Sequence, residues 1–233
     1  MYYYTGEEDL VEYAAKSIHR EIMEMERFFD FKLDDHLDII VYSTKAKFNQ
    51  SNIGLTQENE DNVGGLTKIV GSKAFLYYEG DHQQLNIQIK AIVAEVMLKK
   101  MLFGGSWKDV LKANAFASFP KWYIDGFISF LSRDWDADME SRVKDGFLIG
   151  RFDDFSKLEG DEATYAGHAL WNYIEQTFGK NVIPNIVYVS RITRNPNRGF
   201  ESVLGKTIKE LAIASSNFYK TSFYNDLALQ REK

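Results

Sequence analysis

The sequence contains no cysteine. That excludes disulfides, thiolate-held zinc and cysteine nucleophiles, and it leaves the compartment open, because cysteine-free chains occur on both sides of a membrane. Prolines number three, and no tract rich in Pro, Gly or Ser marks a linker. No apolar run approaches the roughly 20 residues that a membrane span needs. The opening residues MYYYTGEEDL lack a basic region followed by an apolar one, so no secretory leader is visible. If the natural protein is exported, the expectation is that its leader has been removed. Basic residues are in the minority as well, 28 Lys and Arg against 34 Asp and Glu for a net charge of -6. With no long basic run, nucleic acid and direct membrane contact are not expected partners.

What is present is enough to fold. The chain has 233 residues, of which 45% are hydrophobic, sufficient for one large domain or two small ones. Leu10, Ala14, Ile18, Ile22 and Met25 recur at helical spacing between Glu7 and Phe28, which predicts an amphipathic helix. Ile39 to Tyr42 reads as a buried strand, residues 49–62 as a polar turn-rich stretch, and the segment around Gly71, Ser72 and Lys73 as two short strands about a turn. From His82 onward helical patterns take over. Leu85, Ile89, Ile92, Val93 and Val96 mark one helix, stopped by Gly104 and Gly105, and Pro120 suits the first turn of the next. Further helices are predicted near 166–177, 182–191 and 207–218. The simplest organisation is one α+β domain, with an α/β part over about 1–104, a helical part over about 105–220 and a tail over 221–233.

Two stretches carry chemical meaning. AIVAEVMLKK, Ala91 to Lys100, has the frame of the zinc-peptidase signature H-E-x-x-H, in which two His one turn apart hold a metal and the Glu is the base. The positions are filled by Ala94, Glu95 and Leu98. About thirty residues later comes WYIDGFISF, which resembles the W-x-x-E-G-x-A-x-Y pattern of the gluzincin peptidases, where the Glu is the third zinc ligand. Asp125 stands in its place.

The order of motifs resembles one branch of these proteins, the peptidase-MA-like domain that precedes a β-propeller in bacterial TolB-like proteins. YYYTGEEDLVEYAA, VYSTKAKFNQSNI, VGGLTKIVGSKAFLYYEGD and GHALWNYIEQTFG each resemble a segment of that domain, in the family's order, between about Tyr2 and Leu211. The resemblance implies a zincin (gluzincin-like) fold, with a small N-terminal mixed sheet and helices followed by a mostly helical half. It also implies a cell-envelope setting, periplasmic or outer-membrane-associated, and a protein or peptide partner, among them the family's own C-terminal β-propeller or other envelope proteins.

The same resemblance implies lost activity. A catalytic zinc commonly takes three protein ligands and an open water position, and the side chains of Ala94 and Leu98 have no lone pair to give. Without a metal to acidify water, Glu95 is a relic base, and general-base help alone supplies only about 10²–10⁴-fold. Neither metal nor cofactor is therefore expected. The expected role is a catalytically inactive pseudo-peptidase that binds or scaffolds. The alternatives are a zinc hydrolase with relocated ligands, drawing on His82 or His168 with Asp125 and Glu95, and a structural domain that docks a propeller.

Each residue also has a plainer reading. Lys99 lies four residues after Glu95, an ordinary helix pair worth roughly 0.2–0.5 kcal/mol. Ala94 and Leu98 fill core volume. The four His lie in separate elements with no i, i+3 or i, i+4 pair, and Ser129 has no Gly-x-Ser-x-Gly setting. Trp107, Trp122, Tyr123 and Trp135 are candidate interaction residues, with core packing as their other reading.

Overall fold

A computed structural model describes residues 8–34, 38–51, 68–70, 73–104 and 119–231. The chain divides into two compact units, Met1–Ala115 with Leu131–Arg133, and Phe116–Phe130 with Asp134–Lys233.

The first unit begins with α1, Glu8–Phe29, whose buried face is Ala14, Ser17, Ile18, Glu21, Met25 and Phe29. Glu8 and Asp9 in the first turn and Arg27 in the last complement the helix dipole. Asp30 takes the left-handed conformation, φ 48°, and ends the helix as Asp is able to do at modest cost. Beyond it, Glu26 accepts from the Leu33 backbone N–H at 3.0 Å, which pins the exit.

Three strands follow, β1 (Asp38–Tyr42), β2 (Lys68–Val70) and β3 (Lys73–Tyr77), in the order β1-β3-β2. β3 pairs in parallel with β1 and antiparallel with β2, so the described sheet is mixed. Alternation along the strands sorts the side chains. Ile40, Tyr42, Phe75 and Tyr77 share a face, and Phe48 from the short helix α2, Lys45–Asn49, packs on it. Ile39, Val41, Ala74 and Leu76, all buried, point the other way.

α3, His82–Phe103, packs against both α1 and β3. Asp81 caps its start by accepting from the Gln83 N–H, and Gly104, at φ 59°, ends it. Its buried residues go all the way round the helix, Leu85, Ile89, Ala91, Ile92, Val93, Val96 and Met97 among them. A helix apolar on every side is one that a core surrounds. Gln88 is the polar exception, 1% exposed. Its side-chain amide donates to Tyr77 O at 3.1 Å and accepts from Tyr77 N at 3.3 Å, as a neighbouring peptide group would.

The described elements of the second unit are all helices: α4 (Lys121–Ser132, whose last residues fall to the first unit), α5 (Ala137–Leu148), a single 3₁₀ turn (Phe155–Lys157), α6 (Gly160–Phe178), α7 (Val182–Thr193), α8 (Pro196–Leu204) and α9 (Ile208–Arg231). The α4–α6 crossing is backbone on backbone. A Cβ on Gly126 would come within 2.4 Å of Gly167 Cα, and one on Gly167 within 1.9 Å of Trp122 O. Only glycine fits at either place. Around the crossing lies an aromatic core of Tyr123, Phe127, Trp171 and Phe200, each fully buried.

α7 and α8 form a tight hairpin. Arg194 takes a left-handed conformation at φ 50°, the Asn195 side chain caps the Asn197 and Arg198 N–H groups, and Pro196 opens α8. Gly199 lets the two helices close, since a Cβ there would lie 2.7 Å from Ile186 O.

The described residues are thus mostly helical with one small mixed sheet, the α+β composition that the sequence predicts. α2, α5 and α8 are absent from the prediction. α9 is longer than expected, running to Arg231 through the stretch assigned to a tail, because nothing between Phe218 and Arg231 is Gly or Pro.

Candidate functional site

α3 carries the stretch that resembles a zinc-peptidase frame. Ala94 and Leu98, one turn apart, are both 0% exposed, so the two positions that the resemblance aligns with ligands are packed interior. Glu95 lies outside that packed stripe. Its Oε1 accepts from Lys99 Nζ at 2.5 Å, with side chains 16% and 15% exposed. Such a pair is more sheltered than the surface contact that the spacing suggests, so solvent screens it less than an exposed pair. The carboxylate is engaged by a cation in its own helix.

Asp125 lies in the second unit, half-buried on α4. Among the described residues no group of three or more His, Asp or Glu side chains is placed to hold a metal ion. The described histidines have other company. His19 is exposed on α1. His82 lies edge-on to the Tyr13 ring, centroids 4.5 Å apart, and its Nδ1 is 3.1 Å from the Tyr78 hydroxyl. His36 lies outside the described residues.

His168 and Ser129 make a pairing that the sequence reading passes over. Ser129 Oγ and His168 Nδ1 share a hydrogen bond of 2.9 Å between α4 and α6. A nucleophile and its base have this relation, but the two side chains are 0% and 2% exposed. A nucleophile needs a carbonyl to reach it, and burial this deep leaves the pair a structural tie. It lies beside the Gly126–Gly167 contact, with a third tie nearby, Trp171 Nε1 donating to Tyr123 O at 3.3 Å. WYIDGFISF and GHALW, two separate motifs in the sequence, are therefore the two sides of one helix crossing. Gly126 and Gly167, as small residues amid aromatic neighbours, were the available signal.

Of the candidate interaction residues, Trp122 and Tyr123 are 4% and 0% exposed. Trp122 packs on Phe155 and Phe200, and Tyr123 on Trp171. They are core, which corrects their reading as a contact surface. Burial pushes the Tyr123 phenol above its ordinary pKa, with the nearby Ser190 hydroxyl acting in the opposite direction. Both oxygens are buried without a hydrogen-bond partner among the described residues. Trp135 is half-buried, its ring stacked on Tyr219 at 5.2 Å. Trp107 lies outside the described residues.

The second unit also has an open groove of about 620 Å³ between the 152–156 loop and the first half of α9. Phe152, Phe155, Ala212 and Ile213 give it apolar walls, and Asp153 and Lys209 lie on opposite sides. Asp154, in the same loop, accepts from the Ser156 hydroxyl at 2.6 Å and the Ser156 N–H at 3.1 Å. The Ser156 hydroxyl bond first, then Lys157, holds its carboxyl down at a pKa of about 2. Among the described residues no helix is long and apolar enough to cross a membrane. No protein-family model matches the chain, and no curated protein and no solved structure matches it either.

Proposed function

We propose that this chain is a non-catalytic binding or scaffold domain derived from a zincin-type peptidase, in the cell-envelope setting that its motif order implies. One observation carries the proposal: the two positions of the metal-binding frame, Ala94 and Leu98, are fully buried aliphatic groups inside α3's packing. Neither offers a donor atom, and the base position, Glu95, is tied to Lys99. A three-ligand zinc centre with an open water site has no first or second ligand here. What an inactive peptidase domain retains is the ability to hold a chain segment without cutting it, and the groove along α9 provides an apolar concavity with charged residues on its sides.

The test pairs chemistry with metal analysis. The purified chain, dialysed and assayed for zinc, is incubated with a mixture of fluorogenic peptides, beside Glu95→Gln. The expected result is substoichiometric zinc and hydrolysis at the protein-free background for both proteins. One equivalent of tightly held zinc, with turnover abolished by chelator and by Glu95→Gln, would overturn the proposal and restore the hydrolase with relocated ligands.

A further inference from the structure

Residues 176–200 contain Lys180, Arg191, Arg194 and Arg198 and not one Asp or Glu. That stretch is +4 in a chain whose total is -6, which leaves -10 on the remainder. It covers α7 and the first half of α8, whose second half carries Glu201. On the outer side of α7, Tyr188 and Ile192, four residues apart, are 55% and 64% exposed. Asn181 and Asn185 continue the same exposed side toward the helix start. Arg194 and Arg198 are exposed and Arg191 is half-buried. Arg198 makes a long ion pair with Glu201, at 3.5 Å. Arg191 and Arg194 have no ion-pair partner among the described residues.

Ordinary surface chemistry explains part of this. Arg191 in the last turn of α7 favours the helix's C-terminal dipole, and single exposed apolar residues are common. It explains neither the missing acids over 25 positions nor two large apolar side chains exposed one turn apart among the arginines. Tyr and Arg are enriched at protein interfaces, whereas Lys and Glu are depleted.

We infer that the exposed side of the α7–α8 hairpin is an interaction surface for an acidic protein segment carrying an apolar side chain. The apolar group packs on Tyr188 and Ile192, and the partner's carboxylates meet Arg194 and Arg198. Arg favours this partner because its planar fork pairs bidentately with carboxylates. A nucleic acid or an anionic bilayer matches less well, because the -10 on the rest of the chain repels an extended polyanion and limits such a surface to one hairpin. This goes beyond the binding reading proposed above by adding a second surface, apart from the α9 groove, and it is tested separately: the zinc and hydrolysis measurements judge Glu95, the following ones judge the arginines.

An unbiased dodecapeptide library is selected against the full chain, and the enriched peptides are titrated by fluorescence anisotropy. Three competitors are included: phosphatidylglycerol vesicles, phosphatidylcholine vesicles and a single-stranded oligonucleotide. The expected winners combine Asp or Glu with an apolar residue and weaken as salt is raised. Binding should fall by about tenfold or more in Arg194→Glu with Arg198→Glu, and also in Tyr188→Ser with Ile192→Ser. All four positions are exposed, and unchanged circular dichroism establishes that each double variant is folded. The inference is overturned if no peptide is enriched, if the winners are not acidic, if charge reversal leaves their affinity unchanged, or if vesicles or oligonucleotide bind more tightly than the peptides.

Discussion

The two units fill their interiors by opposite means. In the first, α3 buries mostly aliphatic side chains, Leu85, Ile89, Ile92, Val93, Val96 and Met97 among them. In the second, α4 and α6 touch through bare backbone at Gly126 and Gly167, and aromatic rings fill the space on either side. Side-chain packing tolerates exchange when volume is conserved, whereas a backbone contact tolerates no addition. The contrast bears on the zinc frame, because it occupies the forgiving kind of core. Ala94 and Leu98 are part of a well-packed helix there.

The largest effect should follow from breaking the unforgiving contact. Gly167→Val places three carbons where one already meets Trp122 O, and the expected loss is about 4 kcal/mol or more, up to failure to fold. Urea denaturation measures it, and a loss under about 1 kcal/mol would mean that the helices can separate and that the contrast is false.

Truncation in the forgiving core comes next. Leu98→Ala should cost about 3 kcal/mol through lost contacts and the cavity left behind, and Leu98→Met at the same position should cost less than about 1.5 kcal/mol. If the two variants were equally damaging, α3 would be as rigidly packed as the glycine crossing.

Gln88 sharpens the picture of the first unit. Gln88→Leu keeps the volume but leaves the Tyr77 N–H and C=O without the amide that satisfies them. A loss of about 2 kcal/mol is expected, with the Tyr77 amide exchanging faster with solvent in hydrogen-exchange NMR. Unchanged protection of that amide would show that Gln88 is not its partner.

The smallest effect concerns the groove wall. The Asp154 carboxyl, with a folded pKa of about 2 against an ordinary 3.8, favours the folded loop above the unfolded value. That contribution is lost as pH falls through the folded value. The group is fully exposed, so little stability rides on it. An NMR titration of its carboxyl carbon should show a midpoint near 2, and a midpoint near 4 would mean that the Ser156 contacts do not hold in solution.

Legibility in the sequence follows the range of the forces involved. α1, α3 and α6 were readable because their apolar positions repeat every three or four residues over several turns. α5 was missed because only Met139, Val143 and Phe147 mark its buried stripe amid charged neighbours, although Asp136 caps its start. α8 was missed as too short, despite its Asn195–Pro196 opening. The burial of Ala94 and Leu98 could be foreseen from residue type alone. For Trp122 and Tyr123 residue type left core and contact surface both open, because the choice depends on Trp171 and Phe200, far along the chain. The cationic stretch has no run of basic residues; its signal is 25 positions, 176–200, without an acid.

One feature of the second unit makes its folding visible. Tyr219 on α9 is sandwiched between Trp135, at 5.2 Å and 9°, and Phe147, at 5.5 Å and 15°. Its hydroxyl donates to Ala169 O and accepts from Asn172 on α6. Three nearly parallel rings in a fixed chiral setting couple their electronic transitions, and the sandwich exists only while α9 is docked on α5 and α6. The near-ultraviolet circular dichroism of the chain therefore contains an optical signal of that docking, which Tyr219→Leu would erase while leaving the far-ultraviolet helix signal in place.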